Sequence, residues 1–364
     1  MNYLKSIAEK FITVGNFIGC QELGAGNINQ TFLISVAGGL SKHFILQKIN
    51  TQIFPNPEQI MHNLEVFTSH AKNKLADFKV TNQSSWQVPQ VLLTAEQKNF
   101  YRDENKGFWR AITFIENAQS YNIIQNTKHA QEIGYGLGFF HNLISDLDVT
   151  QLSDTLPGFH ITPNYLQQYE QALNNTDRQQ SKETDYCQKF IQKRADLVYI
   201  LEAAKEQGIL PIRPIHGDPK INNIMIDKTT HCATAMIDLD TVKPGLIHYD
   251  IGDCLRSSCN VLGEETEAWD KVNFDLELAE IILLGYLTMA RNFIFKQELD
   301  YIYESIRLIT FELGLRFFTD YFNHNIYFKT NSPTHNLSRA LVQFQLVKSI
   351  ESQEKAIKNL SKKL

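Results

Sequence analysis

The segment Ile215-His-Gly-Asp-Pro-Lys-Ile-Asn-Asn-Ile-Met-Ile226 constrains this chain more than any other. It places His216 two residues before Asp218, and Asn223 five residues after Asp218. A carboxylate followed within a short loop by a neutral oxygen donor suits phosphoryl transfer. One group orients an acceptor hydroxyl and takes its proton, and the other ligates magnesium. Asp218 and Asn223 fit those two roles, and Lys220 stands where its charge can meet the transferring phosphoryl group. Ile224, Met225 and Ile226 anchor the loop in a core. Twenty residues beyond Asp218, the apolar strand Thr234-Ala-Met-Ile-Asp-Leu-Asp240 delivers Asp238 and Asp240. Alone, such a strand end reads as a turn or helix cap; beside the first loop it supplies a metal-binding carboxylate, Asp238. Asp240 belongs either around the metal or on the substrate side. Further on, Asp250 and Asp253 follow in the segment from Pro244 to Asp253. Asp250 reads as a buried brace that accepts backbone hydrogen bonds from the loop, rather than as a catalytic group.

The surrounding pattern supplies a frame for these residues. A chain of 364 residues exceeds one ordinary core, so two domains are expected. After an amphipathic helix near the N-terminus, extended segments dominate: Gln21 to Val36, His43 to Ile49, Trp86 to Leu93, Asn99 to Arg102 and Phe108 to Phe114. Between them, Ile60, Leu64 and Phe67 fall at helical spacing. From His129 onward helices take over: His129 to Ser145, Pro163 to Ala172, Ser181 to Glu206, Phe274 to Gln297, Tyr301 to Phe322 and Leu337 to Leu364. Only Pro211 to Pro244 interrupts them with strands and loops. A β-rich nucleotide-binding lobe over residues 1–115 and a helical catalytic and substrate-binding lobe over 116–364 are expected, joined near Phe114 to Tyr121.

Composition removes several classes of function. Hydrophobic residues make up 43% and charged residues 21%, an ordinary globular balance, and the net charge of −5 comes without a basic block, so no nucleic-acid partner is expected. The cysteines, Cys20, Cys187, Cys232, Cys254 and Cys259, are odd in number and lack metal-ligand spacing, which favours a reducing compartment. The most apolar late stretch, Ile281 to Ala290, falls short of the ~20 residues of a membrane span, and a cytoplasmic protein without a membrane partner is expected. No nucleophile elbow or cysteine-protease signature occurs.

The His216-to-Asn223 loop, the Ile237-Asp238 pair and the later Asp250 resemble the aminoglycoside phosphotransferase-like superfamily of small-molecule kinases. The resemblance implies an α+β, two-lobed protein-kinase-like fold that takes ATP and Mg2+ between its lobes and phosphorylates a small hydroxylated acceptor. Further segments are similar to the bacterial N-acetylhexosamine 1-kinases: Asn27 to Phe32, Ile45 to Pro55, Phe108 to Glu116, Ser120 to Asn122 and Leu313 to Tyr321. That likeness implies transfer to the anomeric hydroxyl of N-acetylglucosamine or N-acetylgalactosamine. Choline, homoserine, another sugar, or a nucleotide-binding pseudokinase remain alternatives.

Within that resemblance, Gly24 and Gly26, with Asn27 and Asn29, stand as a shortened phosphate-covering loop. Gln47 holds the position of the usual strand lysine, and Glu65 is the candidate for that lysine's helix partner. Lys48 should point to the opposite face of its strand. Backbone groups near Glu116 lie where adenine is met. Arg316 and Tyr327 are implied as acceptor contacts, although Arg316 is equally placed to pair with Asp320 or Glu312.

Overall fold

The computed structural model describes residues 2–23, 28–39, 41–77 and 86–363. A short helix, α1 (Asn2–Ala8), leads into three strands, β1 (Asn16–Glu22), β2 (Gln30–Ala37) and β3 (His43–Ile49), followed by the long helix α2 (Pro57–Asp77). Strands β4 (Val91–Leu92), β5 (Tyr101–Arg102) and β6 (Phe108–Thr113) complete a six-stranded sheet in the order β1-β2-β3-β6-β4, with β5 also paired to β6. Every pairing in it is antiparallel.

Side-chain alternation sorts this sheet into two faces. Phe32, Ile34 and Val36 of β2, with Phe44 and Leu46 of β3 and Trp109 of β6, bury against Ile7 and Ala8 of α1. The intervening residues Ile45, Gln47, Arg110 and Ile112 face the other way and line a cleft. Lys48 follows the same rule: its ammonium lies 5.7 Å over the Trp109 ring, on the face away from that cleft.

Strand β7 (Ala118–Gln119) crosses into the helical part, which begins with α3 (Thr127–Ile144), α4 (Thr162–Asn175), α5 (Lys182–Gln192) and α6 (Ile200–Glu206). The insert follows: β8 (Arg213–Ile215), β9 (Ile224–Asp227), β10 (Ala233–Met236) and β11 (Lys243–Gly245). Strand β9 lies between β7 and β10, while β8 pairs with β11, so the loops after β8 and β10 are brought together. Helices α7 (Ile247–Ser258), α8 (Leu276–Ala290), α9 (Lys296–Leu299), α10 (Ile302–Phe322), α11 (His335–Ser352) and α12 (Glu354–Lys363) complete the chain. The fold class is thus the mixed, two-lobed one expected. Among the described residues no helix is long and apolar enough to cross a membrane.

Several elements differ from expectation. The segment 181–206 is two helices with a tighter turn between them, where the Arg194 backbone leaves helical geometry and its guanidinium pairs with Glu351 of α11. The helix expected from Leu337 onward is divided at Gln353 into α11 and α12. Only Val91 and Leu92 of the 86–93 stretch pair as a strand. Helix α7 was not foreseen.

Candidate active site

The loop after β8 is held from beneath by one buried carboxylate. Asp250, on the first turn of α7, accepts the backbone N–H of His216 at 2.7 Å and that of Gly217 at 2.8 Å. Its Oδ2 also accepts from Nε2 of His141 at 2.8 Å, and Tyr286 of α8 lies 3.0 Å from the other imidazole nitrogen. Buried carboxylates persist where their lone pairs are satisfied, so Asp250 is the brace that its position suggested. Gly217 has a φ of +86°, and a β-carbon there would lie 2.7 Å from the Thr241 carbonyl, so the loop can turn this tightly only with glycine.

His216 ties the two sequence motifs together. Its Nδ1 accepts the backbone N–H of Asp218 at 3.2 Å, and its Nε2 donates to the Ile237 carbonyl at 2.9 Å. Burial pushes this imidazole below its ordinary pKa, which fits a neutral ring with one donor and one acceptor. His160 does the opposite. It donates from Nε2 to the Gly217 carbonyl at 2.8 Å and from Nδ1 to Glu312 of α10 at 3.0 Å. Burial alone would lower its pKa, but the Glu312 carboxylate outweighs that and holds it up, as a ring with two acceptor-only partners requires.

These supports place Asp218, Lys220, Asn223 and Asp238 together on one wall of a cavity of about 520 Å³, with Gln47 and Arg110 of the sheet on the other. Lys220 Nζ lies 3.0 Å from Asp218 Oδ2, and that carboxylate raises the pKa of the ammonium. Asn223 donates from Nδ2 to the Asp218 carbonyl at 2.7 Å, which leaves its Oδ1 as the atom that could ligate a metal. Asp238 has left-handed backbone, φ +63°, at the end of its strand. Withdrawal from bulk water, then the charges of Asp240 and Asp218, raise its carboxyl to about 7. Such crowding of hard oxygen donors is relieved by a divalent cation, and Asn223 and Asp238 fit magnesium by donor chemistry. Among the described residues no cluster of three histidine, cysteine or acidic side chains forms a closed cage, so phosphate oxygens and water would complete such a site.

The remaining candidates divide. Gln47 lines the cleft as expected, with its Oε1 accepting from Arg110 Nε at 3.0 Å and Nη2 at 2.8 Å. Asn29 also lines it, donating to Asp240 Oδ2 at 2.5 Å. Glu65 does not: its side chain is exposed and accepts from Asn99 at 2.7 Å, because the face of α2 turned inward carries Met61 and Leu64. Glu116 also stands off the cleft. Its backbone N–H and C=O are both bonded to the Gln87 side chain, while Phe114 and Ile115 form the wall there. Gly24, Gly26 and Asn27 lie outside the described residues. Sequence reasoning missed Arg110 and left Asp240 open. The two are buried and ion-paired, and only the cross-strand register of Arg110 with Gln47 reveals their place.

Arg316 pairs with neither carboxylate weighed for it. Asp320 accepts the backbone N–H groups of Tyr327 and Phe328 and the amide of Asn336, and Glu312 holds His160 and Thr162. Instead the guanidinium lies 5.0–5.7 Å from the ring centres of Phe159, Tyr165, Tyr327 and Phe328. Burial opposes its charge, but Tyr165, Tyr327, Glu312 and Asp218 favour it, so its basicity is raised.

Comparison with known proteins gives a family and a fold. The family described as "Phosphotransferase enzyme family" matches residues 19–277, which span the sheet, the helical part as far as the start of α8, and the residues lining the cleft. An aminoglycoside phosphotransferase from Alicyclobacillus acidocaldarius is similar in structure with a TM-score of 0.64 at 15% identity, covering 99% of this chain and 96% of that one. Amicoumacin kinase hAmiN, solved with AMP-PNP, Ca2+ and Ami, gives 0.62 at 14% identity, over 96% and 93%. A choline kinase from Cryptosporidium parvum gives 0.60 at 14% identity, over 98% and 97%.

Proposed function

The chain belongs to the phosphotransferase enzyme family, and from that premise we propose that it is an ATP- and magnesium-dependent kinase of a neutral sugar, transferring phosphate to the anomeric hydroxyl of an N-acetylhexosamine. The nucleotide lies between the lobes, with its base against Phe114 and Ile115 and its phosphates toward Asn223 and Asp238. Asp218 accepts the proton of the acceptor hydroxyl as the new oxygen–phosphorus bond forms and the bond to the β-phosphate oxygen breaks, releasing ADP. Lys220, already beside Asp218, offsets charge on the phosphoryl oxygens. Magnesium held by Asn223 and Asp238 would supply charge neutralisation at the phosphates. His216, Asp250 and His160 keep the Asp218 loop in register by gripping its backbone, so little reorganisation accompanies the reaction.

One observation carries the acceptor class. A quaternary ammonium acceptor is held by a cage of aromatic faces, and a primary ammonium by carboxylates and other hydrogen-bond acceptors. Here the cage near the catalytic loop, made of Phe159, Tyr165, Tyr327 and Phe328, is filled by the chain's own Arg316. A second cation beside that guanidinium meets repulsion, whereas a neutral sugar finds a hydrogen-bonding fork and aromatic faces. The choice of N-acetylhexosamine among neutral acceptors is supported by the segments similar to that kinase family, among them Leu313 to Tyr321, which includes Arg316. ADP release should be measured with magnesium and ATP against N-acetylglucosamine, N-acetylgalactosamine, plain hexoses, homoserine, choline and ethanolamine. Turnover with the N-acetyl sugars is expected; turnover confined to choline or ethanolamine would overturn the acceptor assignment.

A further inference from the structure

A nucleotide polyphosphate entering this cleft meets few cations. Among the described residues that line it, only Lys220 and Arg110 are positively charged, and Lys220 is held by Asp218. The strand position that would carry a lysine is Gln47, and Glu65 faces outward, so both partners of the usual ion pair are missing. Arg110 stands directly opposite Gln47 in the β3–β6 register. Its Nε and Nη2 are clamped on Gln47 Oε1, and Nη2 also donates to Asp240. The other terminal nitrogen, Nη1, is buried and has no partner among the described residues. A buried guanidinium with an idle N–H group, at the wall of a cavity, is an unsatisfied donor awaiting an acceptor.

We propose that Arg110 is the phosphate-binding cation of this cleft, with Nη1 donating to a non-bridging oxygen of the nucleotide's α- or β-phosphate. Asp240 is then its carboxylate partner in place of the missing glutamate, and Gln47 sets the plane of the guanidinium. The ion pair has moved from strand and helix to two sheet neighbours and the strand-end loop that carries Asp240. Asn29 adds a second hydrogen bond to Asp240 and accepts the Asn50 N–H at 2.9 Å, which fixes the carboxylate from the sheet side. The inference rests on nucleotide binding between the lobes, as proposed above.

The test is calorimetric titration of the full chain with ADP and, separately, with adenosine, both without divalent cation so that Arg110 is read directly. For Arg110→Met, ADP affinity is expected to fall about tenfold to a hundredfold, the value of a charge-assisted hydrogen bond, while adenosine affinity is unchanged. Arg110→Lys keeps a cation beside Asp240 and serves if the methionine variant does not fold. A lysine cannot engage Gln47, Asp240 and a phosphate in that fixed plane, so its ADP affinity should also fall relative to adenosine. Unchanged ADP affinity in a folded variant, or a parallel loss for both ligands, would overturn the assignment. A wild-type chain that binds neither ligand would instead remove the nucleotide reading, and this inference with it.

Discussion

At the scale of single residues, Asp218 sits on a loop gripped through its backbone, with the Lys220 ammonium against its carboxylate. Asp218→Asn removes the proton acceptor but keeps the shape, so turnover is expected to fall by about 10²–10⁴ with ADP affinity nearly unchanged, as checked by steady-state rates beside calorimetry. A variant retaining near-full turnover would show that another group takes the proton. Asp238 gives a pH test. Its folded pKa is raised to about 7, above the ~3.9 of an unfolded aspartate. Between those values the folded chain holds a proton that the unfolded chain has released, so metal-free stability falls as pH rises through that window. A cation bound at Asp238 relieves the repulsion that a proton otherwise relieves. The melting-temperature gain on adding magnesium should therefore be larger at about pH 8 than at about pH 6, and Asp238→Asn should flatten the difference. Equal gains in the unmodified chain would count against Asp238 as the ligand. That Asp218, Asn223 and Asp238 lie on one wall was legible because their spacing falls within two short loops, one after β8 and one after β10. Arg110 was not, since its partners Gln47 and Asp240 are distant in sequence and meet it only through strand register and lobe packing. Glu65 was misplaced because helix phase, not distance along the chain, decides which residue of α2 faces the cleft.

At the scale of elements, the Asp218 loop is propped by a close helix pair. A methyl group at Gly134, Gly138 or Gly285 would collide with the backbone of Ile282, Tyr286 or Gln131 across the α3–α8 contact. That approach seats Tyr286 against His141, and His141 against Asp250. Gly138→Ala is expected to destabilise the chain by about 1–3 kcal/mol through overpacking, seen as a lower urea midpoint with an unchanged slope. An unaltered midpoint would mean the helices can separate without loss. Periodicity located most helices, α3 and α10 among them, within a few residues. Helix α7 also carries Ile247, Ile251, Cys254 and Leu255 at helical spacing, a signal passed over in favour of the carboxylates Asp250 and Asp253. Within it Asp253 Oδ1 pairs with Arg256, which also reaches Glu264, while Asp253 Oδ2 is buried without a hydrogen-bond partner among the described residues and Asp250 holds the loop. The breaks at Arg194 and Gln353 were hidden because apolar spacing continues through them.

At the scale of the whole molecule, the sheet and the helical part meet at one cleft, and Asp240 receives hydrogen bonds from Asn29 and Arg110 on the sheet side. The order of strands, helices and insert was legible from pattern alone. The surroundings of Arg316 were only half legible. Arg316 and Tyr327 stood out by resemblance, but Phe159 and Tyr165 come from elsewhere in the chain and complete the ring of aromatic faces only after folding. On the function proposed above, Arg316 inside that ring would disfavour a small cationic acceptor. The most direct test of that account is phosphorus NMR of the product formed from magnesium, ATP and N-acetylglucosamine. The account requires a phosphate monoester coupled to the anomeric proton, absent with Asp218→Asn; phosphate on any other hydroxyl, or product from choline alone, would contradict it.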